Sequence, residues 1–135
     1  MTDGPIEATD LDRTEDNRER VRSFIEEVLV GGQIDRLDDY VDSENYTEHN
    51  PKMADGLPAL RQALSDGDAA RRYDKIHRIL AEGNFVLCVT EGSLGGTHSS
   101  FYDLFRIAGG KIVEHWDTTE PVPPKSEWVN DNGKF

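Results

Sequence analysis

FYDLFRIAGGKIVEHWD, residues 101–117, decides the reading of this chain. Apolar residues flank Ala108-Gly109-Gly110 on both sides, and the glycines supply the conformational freedom of a tight hairpin turn. Phe101, Leu104, Phe105, Ile107, Ile112, Val113 and Trp116 give the two arms sheet-forming character. Asp103, His115 and Asp117 interrupt that pattern. An acid inside an otherwise apolar strand is costly unless something uses it, so these three mark the candidate site. In a three-residue loop Ile107 pairs with Lys111, Phe105 with Val113 and Asp103 with His115, and Phe101 and Asp117 continue the same face. In a two-residue loop Asp103 faces Trp116 and His115 turns to the other side. A left-handed Gly110 bulge suits the first register, which points Asp103 and His115 into a concave face and Trp116 out of it.

Working upstream, Phe85–Thr90 and Arg71–Ala81 read as further strands joined at Gly83-Asn84, with Gly92–Gly96 a looser connection. Val21, Phe24, Ile25, Val28 and Leu29 recur at helical spacing. They form one apolar stripe on a long helix, capped by Asp12 or Thr14 and ended by Gly31-Gly32. Ile34, Leu37, Tyr40 and Val41 mark a short second helix, with Asp35, Asp38, Asp39, Asp42 and Glu44 as its solvated side. Tyr46–His49 is a short strand stopped by Asn50-Pro51, and Leu57-Pro58 opens a third helix through Leu60, Ala63 and Leu64. Residues 1–12 are polar and read as flexible. Pro121, Pro123 and Pro124 make 121–135 an extended tail, which Trp128 and Phe135 would anchor to the body or to a partner subunit. Residues 13–120 then form one α+β domain. Its curved antiparallel sheet packs on about three N-terminal helices and leaves a cone whose mouth can hold a small ligand.

Composition narrows the function. With 27 acids against 15 Lys plus Arg the net charge is −12, which disfavours nucleic acid as a partner. An acidic, lysine-poor surface resembles proteins of salt-loving organisms; an ordinary acidic protein is the alternative. Cys88 is the only cysteine, so no intrachain disulfide forms. Met1–Asp12 does not read as a signal peptide and no apolar run approaches membrane-spanning length, so the reading is a cytoplasmic protein without a membrane partner. His49, His77, His98 and His115 lack zinc-motif spacing, and no phosphate loop or dinucleotide fingerprint is present. No metal and no cofactor are expected.

The motifs YTEHNP, ADG, HRILAEGNFV and DLFRIAGGKIVEHWD resemble the nuclear-transport-factor-2-like superfamily, and within it the SnoaL-like branch of predicted aldol-condensation-catalysing proteins. The similarity runs from about Val21 to Phe135. It implies the cystatin-like α+β roll, a homodimer and a small-molecule site. SnoaL-type polyketide cyclases use one aspartate as acid and base, and ketosteroid isomerases carry an acid on the same strand; matching places that acid on Asp103. The isomerase base matches the Asn50 neighbourhood, where His49-Asn50 stand, and the isomerase tyrosine matches near Ser23-Phe24 and is missing.

The candidate catalytic residues are therefore Asp103, His115 and His49. Desolvation in an apolar cone would raise the Asp103 pKa, His115 would fix or share its proton, and His49 would assist from the mouth. Phe101, Phe105, Val113, Tyr46, Asn50, Cys88 and Asp117 are the candidate ligand contacts. The expected reaction is proton transfer beside a carbonyl of a small apolar molecule, without a cofactor. A non-catalytic ligand-binding or protein-interaction module, and a hydrolase or dehydratase, are the alternatives. The outer sheet face with Leu104 and Trp116 needs cover, as a dimer would give.

Overall fold

The computed structural model describes residues 1–67 and 70–135. Four long strands are joined by three two-residue turns, each opened by glycine in the left-handed region: Gly83 (φ 57°), Gly95 (φ 57°) and Gly109 (φ 56°). Only a residue without a Cβ takes that conformation freely, so glycine sets where each strand ends. The strands are β2 (Arg71–Glu82), β3 (Phe85–Leu94), β4 (Thr97–Ala108) and β5 (Lys111–Pro121). A fifth, β1 (Thr47–Glu48), runs parallel to β5 and completes the order β1-β5-β4-β3-β2. The expected loose connection at 92–96 is thus a tight turn at Gly95-Gly96, and β3 continues to Leu94.

The hairpin loop is also shorter than the preferred reading. Ala108 pairs with Lys111 across Gly109-Gly110, so two residues make the turn. A bulge then inserts Val113, since Ile107 pairs with Ile112 but Arg106 pairs with Glu114. The extra residue restores the face that a two-residue loop would have reversed. Phe105 lies opposite His115 rather than Val113, and Asp103 lies opposite Asp117. Asp103, His115 and Asp117 still share the concave face, with His115 two pairs along from Asp103 rather than directly across.

α1 (Thr14–Phe24) continues through π turns Ile25–Val30, and Gly32 (φ 73°) ends it. Val21, Phe24, Ile25 and Val28 are buried, as their spacing requires. Neither Asp12 nor Thr14 caps this helix. A 3₁₀ turn, Leu11–Arg13, feeds directly into it, and the Thr14 hydroxyl accepts the Gly83 N–H at 2.8 Å. α2 (Leu37–Tyr40) buries Leu37 and Tyr40 while Asp35, Asp38 and Asp39 face solvent. α3 (Leu57–Ser65) brings Leu57 and Leu60 to the core. Phe24 meets Phe105 edge-on at 5.8 Å, which seats α1 against the sheet.

Bulges in β2, between Tyr73 and Lys75 and between Ile76 and Arg78, and the bulge in β5 curl the sheet over the helices. Close approach at Gly92 holds the rim of this curve: a Cβ there would stand 1.8 Å from the Arg72 carbonyl oxygen and 3.0 Å from Tyr73 Cα. Gly92→Ala is therefore expected to lower stability by about 1–3 kcal/mol. Urea unfolding checks this against Gly133→Ala, whose new methyl would meet nothing nearer than 3.9 Å and should leave stability unchanged.

Both ends of the chain lie on the outer face. The Asp3 carbonyl accepts the Trp116 indole N–H at 3.2 Å, and Thr9 and Asn84 exchange backbone and side-chain hydrogen bonds. Trp116 points out as expected, and residues 3–9 of the chain itself lie over it. At the other end Phe135 stacks on His77 at 4.3 Å. His77 and His98, which lack zinc-motif spacing, share Glu91 at 3.4 and 3.1 Å.

Candidate active site

Strand alternation puts every other residue of β4 and β5 inside the cone. Asp103 is buried among these, 1% exposed. Its Oδ1 accepts from His115 Nε2 at 2.8 Å and from the Tyr73 hydroxyl at 3.4 Å, and lies 3.6 Å from Arg71 Nη2. Its Oδ2 is buried with no hydrogen-bond partner among the described residues. Arg71 opens β2 and aims its guanidinium across the sheet to Asp117, at 3.0 Å. Asp117 also accepts from the Asn50 amide at 3.0 Å.

On the other side of His115, Nδ1 lies 3.0 and 2.9 Å from the two carboxylate oxygens of Glu48. The Tyr46 hydroxyl donates to Glu48 at 2.7 Å, and the Asn50 N–H donates at 2.9 Å. The result is a string of alternating charge, Glu48–His115–Asp103–Arg71–Asp117. Each of its five side chains is no more than 8% exposed. Every anion touches a cation, which is the condition under which buried charge is tolerated.

Glu48 takes the inward place expected for its neighbour His49. β1 pairs Glu48 with His115 and turns Glu48 inward. His49 goes to the outer face, where it contacts Glu114 at 2.7 Å and stacks on Trp116 at 4.6 Å. It does not reach Asp103. An acid does stand in the Asn50 neighbourhood, two residues upstream. Glu48, Arg71 and Tyr73 are the site residues that sequence reasoning missed. Charged residues on strands whose edges and faces cannot be read from two residues, or from a strand's first residue, carry no local signal.

The remaining candidates divide. Tyr46, Phe105 and His115 line a narrow enclosed cavity with Phe24, Met53, Leu60, Arg71 and Tyr73; its empty space is about 360 Å³. The part free to a water-sized sphere is little more than one molecule's worth. Phe101 is buried under the Arg71 guanidinium, 4.7 Å away. Cys88 lies opposite Asp103 across the β3–β4 pair, and burial together with that carboxylate pushes its thiol pKa up. Val113 sits at the bulge, outside the apolar cluster around the cavity. Asp103, His115 and Asp117 have ligand atoms within 4.8 Å of one another, a spacing a divalent cation could use, but Arg71 already supplies positive charge there.

Electrostatics follow from the string. Burial acts to lower the His115 pKa, but hydrogen bonds and charge from Asp103 and Glu48 outweigh it and hold the imidazole at about 9. Burial acts to raise Glu48, and His115 and Tyr46 reverse that, leaving it below its ordinary value. Burial pushes Tyr46 and Tyr73 up, with Glu48 and Asp103 adding to it, so both phenols stay protonated donors. A histidine raised above its unfolded value of 6.5 stabilises the fold fully below that pH and loses the contribution as pH rises through about 9. Stability should therefore fall across pH 6.5–9.5 by on the order of 3 kcal/mol. Denaturant midpoints checked against His115→Gln, which should flatten this limb, test the assignment.

A family model described as SnoaL-like domain matches residues 21–115. No curated protein matches the sequence. Among solved structures, a Kribbella flavida protein named provisionally as a ketosteroid isomerase aligns at TM-score 0.69 and 15% identity, over 91% of this chain and 93% of that one. An NTF-2-like protein of unknown function from Burkholderia xenovorans aligns at 0.68 and 20%, over 90% and 99%. An M. tuberculosis LEH-like epoxide hydrolase aligns at 0.61 and 21%, over 80% and 85%. At these identities the likeness is one of fold.

Proposed function

The chain belongs to the SnoaL-like domain family, and from that premise we propose that it is a small-molecule enzyme moving protons beside a carbonyl group, without a cofactor. Aldol condensation, cyclisation and isomerisation are reactions of this kind. The observation that carries the reading is Asp103. One of its oxygens is held by His115, while the other is buried and left without a partner. A buried orphan carboxylate oxygen is costly, and a carbon acid or hydroxyl proton would satisfy it. In this conformation Asp103 stands one side chain behind the cavity wall, which Tyr73, Arg71 and His115 form.

The roles follow from the chemistry of each group. Asp103 takes a proton from carbon and returns it. Arg71, and Tyr73 once its hydroxyl turns from Asp103, donate to the oxygen on which negative charge develops. His115, held as imidazolium by Glu48 and Asp103, fixes the orientation of the Asp103 carboxyl group. The test is proton exchange. The protein in D₂O should speed loss of the α-proton signal of simple ketones in NMR spectra, and Asp103→Asn should abolish the acceleration. A panel with no exchange and unchanged ligand affinity in that variant would instead mark a binding module.

A second reading has its own observation. Asp117, with Asn50 and Arg71, lies where solvent reaches the string, so this carboxylate could deprotonate a water for addition or hydrolysis. Incorporation of ¹⁸O from labelled water into product separates it from carbon-proton chemistry.

A further inference from the structure

Arg71 stands between two spaces. On one side is the enclosed apolar cavity, with room for little more than a water. On the other is an open groove at the strand ends, with about 940 Å³ of empty space. It is lined by the β1–α3 loop (Asn50, Pro51, Lys52), by Thr97 and Ser99 of β4, and by Asp117, Thr118 and Thr119 of β5. The groove and the cavity share Arg71, and the groove also reaches Asp117 directly. The end of the charge string that a ligand meets from solvent is therefore Arg71–Asp117–Asn50.

The lining says what would fit. Three hydroxyl side chains, Thr97, Ser99 and Thr119, line the groove with Asn50 and Lys52, against three apolar residues, Pro51, Leu94 and Pro121. An apolar ligand would strip water from the Thr97 hydroxyl and the Lys52 ammonium and put nothing in its place. An anion would meet Asp117 on a chain of net charge −12, with Arg71 already committed to two carboxylates. A neutral, hydroxyl-bearing group suffers neither penalty. It can both donate to and accept from threonine and serine hydroxyls, and can accept from Lys52.

We propose that the groove is a subsite for the polyhydroxylated part of a small carbonyl compound, whose carbonyl end accepts from Arg71. Here the ligand approaches along the strand ends and not through the apolar cavity. This reading rests on the proposed proton chemistry for the carbonyl but makes a separate claim about binding. It revises the expected substrate from small and apolar to small and hydroxylated.

Two ketones of one carbon skeleton test it: 2-pentanone and 3,4,5-trihydroxy-2-pentanone. Titration of the full chain, followed by amide NMR shifts, should show the trihydroxy compound binding at least tenfold tighter. The shifts should centre on Thr97, Ser99 and Thr119. Thr97→Val, an isosteric change at the start of β4, should weaken that preference and leave 2-pentanone unaffected. Equal affinities, binding by neither ketone, or shifts confined to Leu29, Met53 and Leu64 in the cavity would each overturn the subsite. Deuterium exchange measured on the same samples keeps the two claims apart. Hydroxyl preference without exchange keeps the groove and removes the chemistry; exchange without preference does the reverse.

Discussion

Replacing Arg71 with methionine will destabilise the protein by about 3–5 kcal/mol at pH 7, the range for removing one partner of a buried ion pair. The side chains left behind are Asp103, 1% exposed, and Asp117, 4% exposed. Both would keep charge in a site that had lost its guanidinium, and only Asp103 would retain a cation, His115. The origin of the loss shows in its coupling to Asp117, read by urea unfolding. Adding Asp117→Asn should recover part of the stability, giving a coupling that a purely steric role for Arg71 would not produce. A deficit under 1 kcal/mol would mean that solvent screens the pair far more than its burial indicates.

Asp103→Asn carries the largest functional effect. Turnover of any substrate found by proton exchange should fall by about 10²–10⁴-fold, the usual contribution of a positioned acid-base group. The substitution keeps the shape of the side chain, so the fold should survive. It also removes one of the two carboxylates that hold up His115. The imidazole should then titrate below its value of about 9 in ¹⁵N NMR spectra. A lowered His115 pKa with unchanged turnover would make Asp103 a partner of the histidine and nothing more. Glu48→Gln supplies the comparison. It too should lower His115, but should cost less turnover, since Glu48 touches only the far nitrogen.

Much of this architecture is legible in the sequence. The stripe from Val21 to Leu29 and the glycine pairs announce helix, strands and turns, because helical spacing and positive-φ turns leave local marks. The shared face of Asp103, His115 and Asp117 is legible too, since parity along a strand decides it. The register is not. Gly109-Gly110 fits either loop length, and the bulge at Val113 leaves no trace in Ile112-Val113, where two adjacent apolar residues hide which of them is inserted. Glu48 and His49 show the same limit. The strand is only Thr47–Glu48, with His49 just past its end, so either side chain could point inward, and only pairing with β5 settles which. Arg71 is illegible for another reason: its acidic partners stand on strands far along the chain, and only the curl of the sheet brings them together.

That curl has a bearing on how copies of the chain can meet. β2 is one rim of the sheet, and its two bulges break the regular row of free backbone groups that a second sheet would need to dock. Exposed Arg72, Asp74, Lys75 and Arg78 add charge along the same rim. The opposite rim is β1, only two residues long. Neither margin offers a template for continuing the sheet from one molecule into the next. The distortion that shapes the pocket thus also guards against fibrous growth, and it directs any self-association to the broad convex side, where Leu80 and Tyr102 lie open to solvent.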